Sequence, residues 1–230
     1  MARVPPIALV RQFDTHRLIP SRHSPGGDSV FVRIADDEAH LQSIFELDAA
    51  TNDRWLAEHQ RYPDIGVEEL VFGVPCSHVI NAAFCHPHPL GSRFNGPDRG
   101  AWYAGLALET AQAEVAFHKV VELSETGWTG EESITYDDYL ADFSAAFHDL
   151  RRATGFRVSL DPRNYRSSQA LAERLLAAGS LGLVYPSIRR AGGTCLACFR
   201  PPLVANVRRD ATYRFTFSGT ADPAIVRVPS

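Results

Sequence analysis

Four side chains of this sequence together have the chemistry to bind a pyrophosphate, a flat base and a ribosyl cation. The first, Arg93, lies in the loop Gly91-Ser92-Arg93-Phe94-Asn95-Gly96-Pro97. A guanidinium there can hold a phosphate through two parallel, charge-assisted hydrogen bonds, and the glycines let a ligand approach the backbone closely. A solvated surface arginine is the commoner outcome for this residue type, so Arg93 alone leaves both interpretations open.

The second candidate, Tyr103, follows Trp102 in a predicted strand at 100–106. Because successive side chains of a strand point to opposite faces, one of these rings can line a pocket while the other fills the core. A ring that faces a pocket can stack on a flat base. Packing in the core is the alternative role for Tyr103.

The third candidate is Glu114, on a predicted helix at 109–123. Its spacing of three or four residues from Ala111, Val115 and His118 puts all four on one helix face. A carboxylate beside this small, apolar stripe is partly desolvated and suits a cleft. There it can stabilise an oxocarbenium-like charge or grip ribose hydroxyls. The alternative is a boundary residue of an amphipathic helix, with His118 either orienting Glu114 or simply packing.

The fourth candidate, Ser187, follows Tyr185 and Pro186 at the end of a predicted apolar strand. The proline stiffens the backbone and fixes where the hydroxyl points. Since no Gly-x-Ser-x-Gly motif surrounds it, an acyl-transfer nucleophile is disfavoured. We expect its hydroxyl to bond a ribose, a phosphate or the carboxylate, with a plain strand-end serine as the alternative. Arg17, beside another predicted strand, is a candidate second phosphate ligand.

The hydrophobic periodicity predicts helices and strands without a regular strand–helix–strand order. Helical signals mark 36–58 (one helix or a broken pair), 109–123 and 167–178, the last capped by Ser167 or Ser168 and ended by Gly179. Extended segments are predicted at 79–84, 100–106, 134–140, 156–162, 182–185, 195–199, 203–207 and 212–217, and 69–75 is a short strand or a helix end. This mixture favours an α+β fold, with mainly antiparallel short sheets and flanking helices, over a doubly wound one. Because no linker divides the chain, we predict one domain over 1–230.

The composition excludes some classes of partner. The chain is 45% hydrophobic and 22% charged, with a net charge of -4. This small charge gives no electrostatic reason to bind nucleic acid or an anionic membrane. Neither a signal peptide nor a membrane-spanning run is recognisable, so a cytoplasmic protein is expected.

The cysteines do not predict a metal site. Cys195 and Cys198 form a single CxxC, but a strand places these thiols on opposite faces, and no second pair exists. We therefore interpret both as small apolar fillers. Cys85, His86 and His88 lie in a loop stiffened by prolines and lack spaced partner ligands, so no metal is expected there either.

The order and content of these segments resemble the RES-domain family, which is named for its arginine, glutamate and serine. The resemblance covers most of the chain, from about residue 17 to residue 217. It is strongest at 92–96, 102–104, 109–114 and 182–189, and 192–201 matches the family's usual sequel to the serine.

The resemblance implies which residues form the site. The family's arginine falls on Arg93, its glutamate on Glu114 and its serine on Ser187. Its pocket tyrosine falls on Tyr103, and an earlier arginine falls on Arg17. The resemblance implies that Arg93, Glu114 and Ser187 are catalytic. It also implies that the ligand is bound by Arg17, Arg93, Tyr103 and Ser187.

The resemblance also implies an activity. Family members are similar to ADP-ribosyltransferases in fold, and many are toxins that deplete NAD+ by phosphorolysis or hydrolysis and are held inactive by an Xre-type antitoxin. It implies NAD+ as substrate, inorganic phosphate as a candidate co-substrate, and no further cofactor. Transfer of ADP-ribose to a protein and a catalytically silent nucleotide-binding module are the alternatives. Homo-oligomerisation stays open, and residues 1–80 are expected to be an N-terminal extension packed on the domain.

Overall fold

The computed structural model describes residues 3–24, 65–218 and 222–229, together with His40, Ser43 and Leu47, which are helical. Apart from those three positions, the predicted helix or helix pair at 36–58 lies outside the described residues. The described residues form a seven-stranded sheet with helices packed against it. The predicted α+β single domain is confirmed, although its strands belong to one sheet rather than to several short ones.

The sheet is mainly antiparallel, as the sequence predicts. Its strands follow the order β1-β2-β5-β4-β3-β6-β7, and β3 and β4 form the one parallel pair among the described strands. The strands are β1 (Ile7–Pro20), β2 (Trp102–Gly105), β3 (Glu132–Asp149), β4 (Gly182–Pro186), β5 (Thr194–Cys198), β6 (Ala205–Phe217) and β7 (Ala224–Val228).

A second pairing of β1 closes part of the sheet. β1 pairs with β3 from Ile7 opposite His148 to Pro20 opposite Tyr136, and it also pairs with β2 where His16 lies opposite Gly105. Strands β1, β2, β5, β4 and β3 therefore form a ring, and β6 and β7 extend the sheet from β3. This closure brings β1 beside β2, although the two strands are far apart in the sequence.

Three α-helices whose bounds the structure describes pack against different parts of the sheet. They are α1 (Ser77–Cys85), α2 (Leu108–Glu125) and α3 (Arg166–Ala177). Residues of α1 share a buried cluster with Trp102, those of α3 share one with Leu183, and those of α2 share one with Phe215. None of the described helices combines the length and the apolar character needed to cross a bilayer.

The prediction of an extended segment at 79–84 is wrong, because these residues belong to α1. Most of this helix is buried, so its burial does not follow the one-sided pattern that identifies a surface helix. Its buried Asn81 accepts a hydrogen bond from the Val71 N–H (3.0 Å) and donates one to the Val71 carbonyl (2.8 Å). The segment at 69–75 therefore bonds to a helix side chain, after a short 3-10 helix at Val67–Glu69, rather than to a neighbouring strand.

The predicted strand at 156–162 is also wrong, since Thr154–Leu160 is a 3-10 helix. Its buried residues are Phe156, where a non-helical backbone (φ of -121°, ψ of 19°) kinks the segment, and Ser159. Val158 is exposed. The apparent alternation of apolar residues therefore does not follow a buried face.

Two other elements differ in detail from the prediction. The strands predicted at 203–207 and 212–217 are one strand, β6, because the residues between them keep pairing with β3 through shifts of register. The first prediction begins too early, since Leu203 belongs to the 3-10 helix Pro201–Leu203. Helix α3 has the predicted position but no side-chain cap, and Ser168 Oγ instead donates to the Tyr165 carbonyl (2.9 Å). Gly179, with φ of 78°, ends it as predicted.

Candidate active site

A cavity of about 240 Å³ lies between β1, β2, β5, α2 and the loop before β2. Arg17, Arg93, Tyr103 and Glu114 line it. Ser187, just after β4, donates its hydroxyl hydrogen to Glu114 Oε1 over 2.7 Å. The structure thus brings together all five residues that the sequence analysis singles out.

The loop that carries Arg93 is folded tightly around a glycine. Gly91 has φ of 68°, in the left-handed region that glycine adopts readily, and a β-carbon there would overlap the Asn95 carbonyl oxygen. That oxygen accepts a hydrogen bond from the Ser92 N–H (3.0 Å). A larger residue at position 91 would therefore open the turn that presents Arg93.

The guanidinium of Arg93 is buried and incompletely paired. Its Nη1 donates to the Asp161 carbonyl (2.7 Å), and its Cζ lies 4.5 Å from the centroid of the Tyr165 ring. Its Nη2 is buried and has no hydrogen-bond partner among the residues that the structure describes. A buried N–H group without a hydrogen bond costs free energy. This nitrogen can therefore donate to an anionic oxygen of a ligand.

Arg17 brings a second guanidinium to the same cavity. Its Nη1 donates to the Tyr103 carbonyl (3.2 Å), and its Cζ lies 4.9 Å from the Trp102 ring centroid. Its Nε is buried and has no partner within the described ranges. Burial lowers the pKa of Arg17 to about 10, so the group remains protonated at neutral pH. Two arginines therefore line the cavity.

Tyr103 and Trp102 occupy opposite faces of β2, as strand alternation predicts. Trp102 is fully buried in the core, while Tyr103 lines the cavity. The Tyr103 hydroxyl donates to Asn95 Oδ1 (2.8 Å) and accepts from the Phe94 N–H (2.8 Å). Burial raises the pKa of Tyr103, so the phenol is neutral and these two bonds hold its ring in place.

Helix α2 positions Glu114, and its predicted face is confirmed. Ala111, Val115 and His118 line the same cavity as Glu114. The helix approaches β2 closely at Gly105, where a β-carbon would lie 2.6 Å from the Ala111 nitrogen. A side chain at Gly105 would therefore push the first turn of α2, and with it the carboxylate, away from the sheet.

The hydroxyl of Ser187 is fixed by the backbone around it. Its Oγ accepts hydrogen bonds from the N–H groups of Arg189 (3.1 Å) and Arg190 (3.0 Å), while its own N–H donates to the Gly193 carbonyl (2.9 Å). A serine oxygen has two lone pairs and one hydrogen, so the hydrogen remains for Glu114. The sequence analysis left a ribose, a phosphate or the carboxylate as the partner of this hydroxyl. In the structure, the hydroxyl bonds to the carboxylate of Glu114.

Sequence reasoning missed the contact between Cys195 and Glu114. The thiol Sγ lies 3.6 Å from Glu114 Oε1, and burial, with the nearby carboxylate, raises the pKa of Cys195. Cys195 is therefore a protonated, neutral donor. Strand alternation does place Cys198 on the opposite face, where its Sγ donates to the Arg200 carbonyl (3.3 Å). Within the described part of the chain, no group of three or more His, Cys, Asp or Glu side chains is arranged to hold a metal ion.

Two histidines complete the wall of the cavity. Burial lowers the pKa of His118, and Arg189 and Arg93 act in the same direction although Glu114 opposes them. His16 differs, because its Nδ1 lies 2.7 Å from Asp138 Oδ2. Burial tends to lower the pKa of His16, but the hydrogen bond and charge of Asp138 outweigh it and raise the pKa. No local signal marks His16, since Asp138 is 122 residues away.

The charges of the cavity are separated. Arg17 and Arg93 supply cations, and Glu114 supplies the one carboxylate among the described residues of the lining. Ser187 and Cys195 hold that carboxylate through neutral donors, so its charge is not cancelled by an ion pair. The arrangement suits a ligand that carries phosphate at one end and develops positive charge at the other.

The chain has similarities to known proteins. Among solved structures, the chain is similar to the crystal structure of the M. tuberculosis MbcT–MbcA toxin–antitoxin complex, with 17% sequence identity and a TM-score of 0.42. That match covers 54% of this chain and 71% of the other. No curated protein matches the chain. The RES domain matches residues 71–218, more than half of the chain and the part that contains Arg93, Tyr103, Glu114 and Ser187. The chain therefore belongs to the RES-domain family.

Proposed function

We propose that the protein cleaves the bond between nicotinamide and ribose in NAD+, with phosphate or water as acceptor. One observation carries the proposal: the buried, unpartnered Nη2 of Arg93 and the carboxylate of Glu114, held by Ser187, belong to one cavity. NAD+ has the matching chemistry, since it carries a pyrophosphate and develops positive charge on a ribose when nicotinamide leaves.

The binding step uses the cationic side of the cavity. Arg93, with Arg17 as a second ligand, holds the pyrophosphate, and the ring of Tyr103 stacks on nicotinamide. The cavity, about 240 Å³, is smaller than the roughly 300 to 1,000 Å³ of typical small-molecule sites. We therefore assign it to the nicotinamide mononucleotide half, including the phosphate beside Arg93, with the adenosine part extending out of it.

The chemical step uses Glu114. As the bond between the ribosyl carbon and the nicotinamide nitrogen breaks, the electron pair stays on nicotinamide, and positive charge grows on the ribose. A fixed carboxylate beside that charge stabilises the transition state more than the ground state. Ser187 is a positioning residue in this scheme, because its hydrogen bond holds Glu114 in one orientation.

The biological role that we propose follows from the family. Because many RES-domain proteins resemble ADP-ribosyltransferases and act as toxins, we propose that this chain is the toxin of a bacterial toxin–antitoxin pair, restrained by an Xre-type antitoxin. Expression in a bacterial host should then arrest growth and lower cellular NAD+. The same expression of the E114Q variant should leave growth unaffected.

The direct test measures nicotinamide release from NAD+ by purified protein, with and without inorganic phosphate. We expect release in the wild type and a rate about 100- to 1,000-fold lower in E114Q, which keeps the shape of the side chain and removes its charge. ADP-ribose identifies water as acceptor, ADP-ribose carrying a phosphate identifies phosphorolysis, and label on a polypeptide identifies a protein transferase. Equal rates in the wild type and E114Q would contradict the proposal.

A further inference from the structure

His16 and Asp138 form a pair on the wall of the same cavity, and none of the steps above uses them. His16 lies on β1 beside Arg17, and Asp138 lies on β3, diagonally across the β1–β3 ladder. His16 Nδ1 and Asp138 Oδ2 are 2.7 Å apart. The ring of His16 faces the cavity, while Asp138 is fully buried behind it.

The surroundings of this pair do not suit a purely structural ion pair. Among the described residues, His16 is the one side chain hydrogen bonded to Asp138, whose Oδ1 is buried and without a partner. A buried carboxylate with a half-satisfied set of bonds destabilises a fold. His16 Nε2 has no hydrogen-bond partner among the described residues, so the ring is bonded on its buried side and unbonded at its other nitrogen.

The charged groups around His16 favour a strong base. Besides Asp138, Asp14 on β1 and Asp210 on β6 act on it in the direction that raises its pKa, against the effect of burial. Arg17 on β1 and Glu114 on α2 line the same cavity and contribute opposite charges. A histidine whose Nδ1–H is bonded to a carboxylate keeps its lone pair on Nε2, which is the tautomer that general bases use.

We propose that His16, oriented by Asp138, is the general base that takes a proton from the water attacking the ribosyl carbon. This inference rests on the proposed cleavage of NAD+. The water proton moves to His16 Nε2, the water oxygen bonds to the ribosyl carbon, and the bond to the nicotinamide nitrogen breaks with its electron pair on nicotinamide. The products are ADP-ribose and nicotinamide, and His16 returns the proton to solvent.

The two acceptors provide an internal control. Water must lose a proton when it attacks, whereas the phosphate dianion can attack through an oxygen that carries no proton. We therefore expect H16Q to lower hydrolysis about 100-fold, the lower range of a general-base contribution, and to lower phosphorolysis less than about fivefold. H23Q is the matched control, because His23 is an exposed histidine of a 3-10 helix, and it should leave both rates unchanged.

The pH profile supplies a second readout. Hydrolysis needs neutral His16, so its rate should fall as the pH falls through the pKa of His16, which Asp138 raises above the usual 6.5. In D138N this decrease in the hydrolysis rate should occur at lower pH. The maximal hydrolysis rate should also fall about tenfold. The His16 pKa, followed by NMR of the imidazole protons, should shift in the same direction whether or not NAD+ is present.

The outcomes separate this inference from the proposed function. Wild-type protein that releases no nicotinamide would contradict both. Wild-type release that yields no ADP-ribose when phosphate is absent would contradict the role of His16 alone. So would an H16Q variant that loses both activities equally or neither, or an imidazole pKa that D138N leaves unchanged.

Discussion

Two buried arginines of the loop before β2 show what distinguishes a binding site from a structural contact. Arg93 is 6% exposed and Arg99 is 5% exposed, so burial does not separate them. Each also lines a cavity, of about 240 Å³ for Arg93 and about 400 Å³ for Arg99. By size alone, the second cavity would be the better candidate for a binding site. The partners of the two guanidiniums lead to the opposite conclusion.

Arg99 is paired within the protein. Its Nη1 and Nη2 donate to the two carboxylate oxygens of Glu69, each over 2.7 Å, and Nη2 also donates to the Phe199 carbonyl (2.9 Å). Arg200 adds a second cation to Glu69 at 2.8 Å. The hydrogen bond from Arg99 lowers the pKa of Glu69, although burial opposes it. This cluster ties the Val67–Glu69 segment to the sheet.

Within the described part of the chain, Arg93 has no ion pair and donates to a backbone carbonyl, that of Asp161. The two carboxylates differ in the same way. Arginines hold Glu69, whereas a hydroxyl and a thiol hold Glu114. Charges that are left uncompensated, rather than the volume of the space around them, therefore mark the candidate active site.

The largest effect that we expect in this comparison is on stability, from removing the structural arginine. R99M should lower the free energy of unfolding by about 3 kcal/mol, because it leaves Glu69 partly buried with one cationic partner instead of two. Chemical denaturation at neutral pH measures this. The folded fraction of the variant should keep its rate on NAD+ within about threefold of the wild type. A larger loss of activity would assign Arg99 to the site and break the comparison.

The next effect is on activity, from changing the arginine that we assign to the pyrophosphate. R93K should lower kcat/KM for NAD+ about 100-fold, which corresponds to about 2.7 kcal/mol of transition-state stabilisation, since an ammonium cannot form two parallel bonds. Its free energy of unfolding should stay within about 1 kcal/mol of the wild type. A variant that lost stability and kept activity would show that Arg93 and Arg99 have the opposite roles.

The smallest effect is expected from the neutral donor to the carboxylate. S187A should lower kcat about tenfold, or about 1.4 kcal/mol, because Cys195 still contacts Glu114 but its weaker thiol bond positions the carboxylate less well. Steady-state rates on NAD+ measure this, and KM should change little. An S187A variant as slow as E114Q would instead indicate that the serine itself touches the reacting atoms.

Local patterns identified the parts of the site that lie within one element. The spacing of Ala111, Glu114, Val115 and His118 defines one helix face, and alternation in β2 separates Tyr103 from Trp102. Both are consequences of backbone geometry, and the structure agrees with them. The choice of Arg93 and Ser187 depended on the resemblance to the RES-domain family, because neither residue stands out from its neighbours by pattern alone.

Local patterns failed where burial did not follow a regular period. Helix α1 is buried on nearly all sides, so its residues show no stripe that separates a helix from a strand. The kinked 3-10 segment Thr154–Leu160 alternates in sequence, but its apolar Val158 is exposed and its polar Ser159 is buried. In both segments, contacts with distant residues decided the backbone conformation.

The sequence by itself determined which side chains share a helix or strand face, because the α-helix and the β-strand have fixed periods. Only the tertiary structure decided which charges are cancelled. Closure of the sheet through the β1–β3 ladder places Asp138 beside His16. The turn after β4 orients the Ser187 hydroxyl so that it donates a hydrogen bond to Glu114. Electrostatic pairing depends on distances of a few ångströms between residues that are far apart in the chain, and no local pattern encodes those distances.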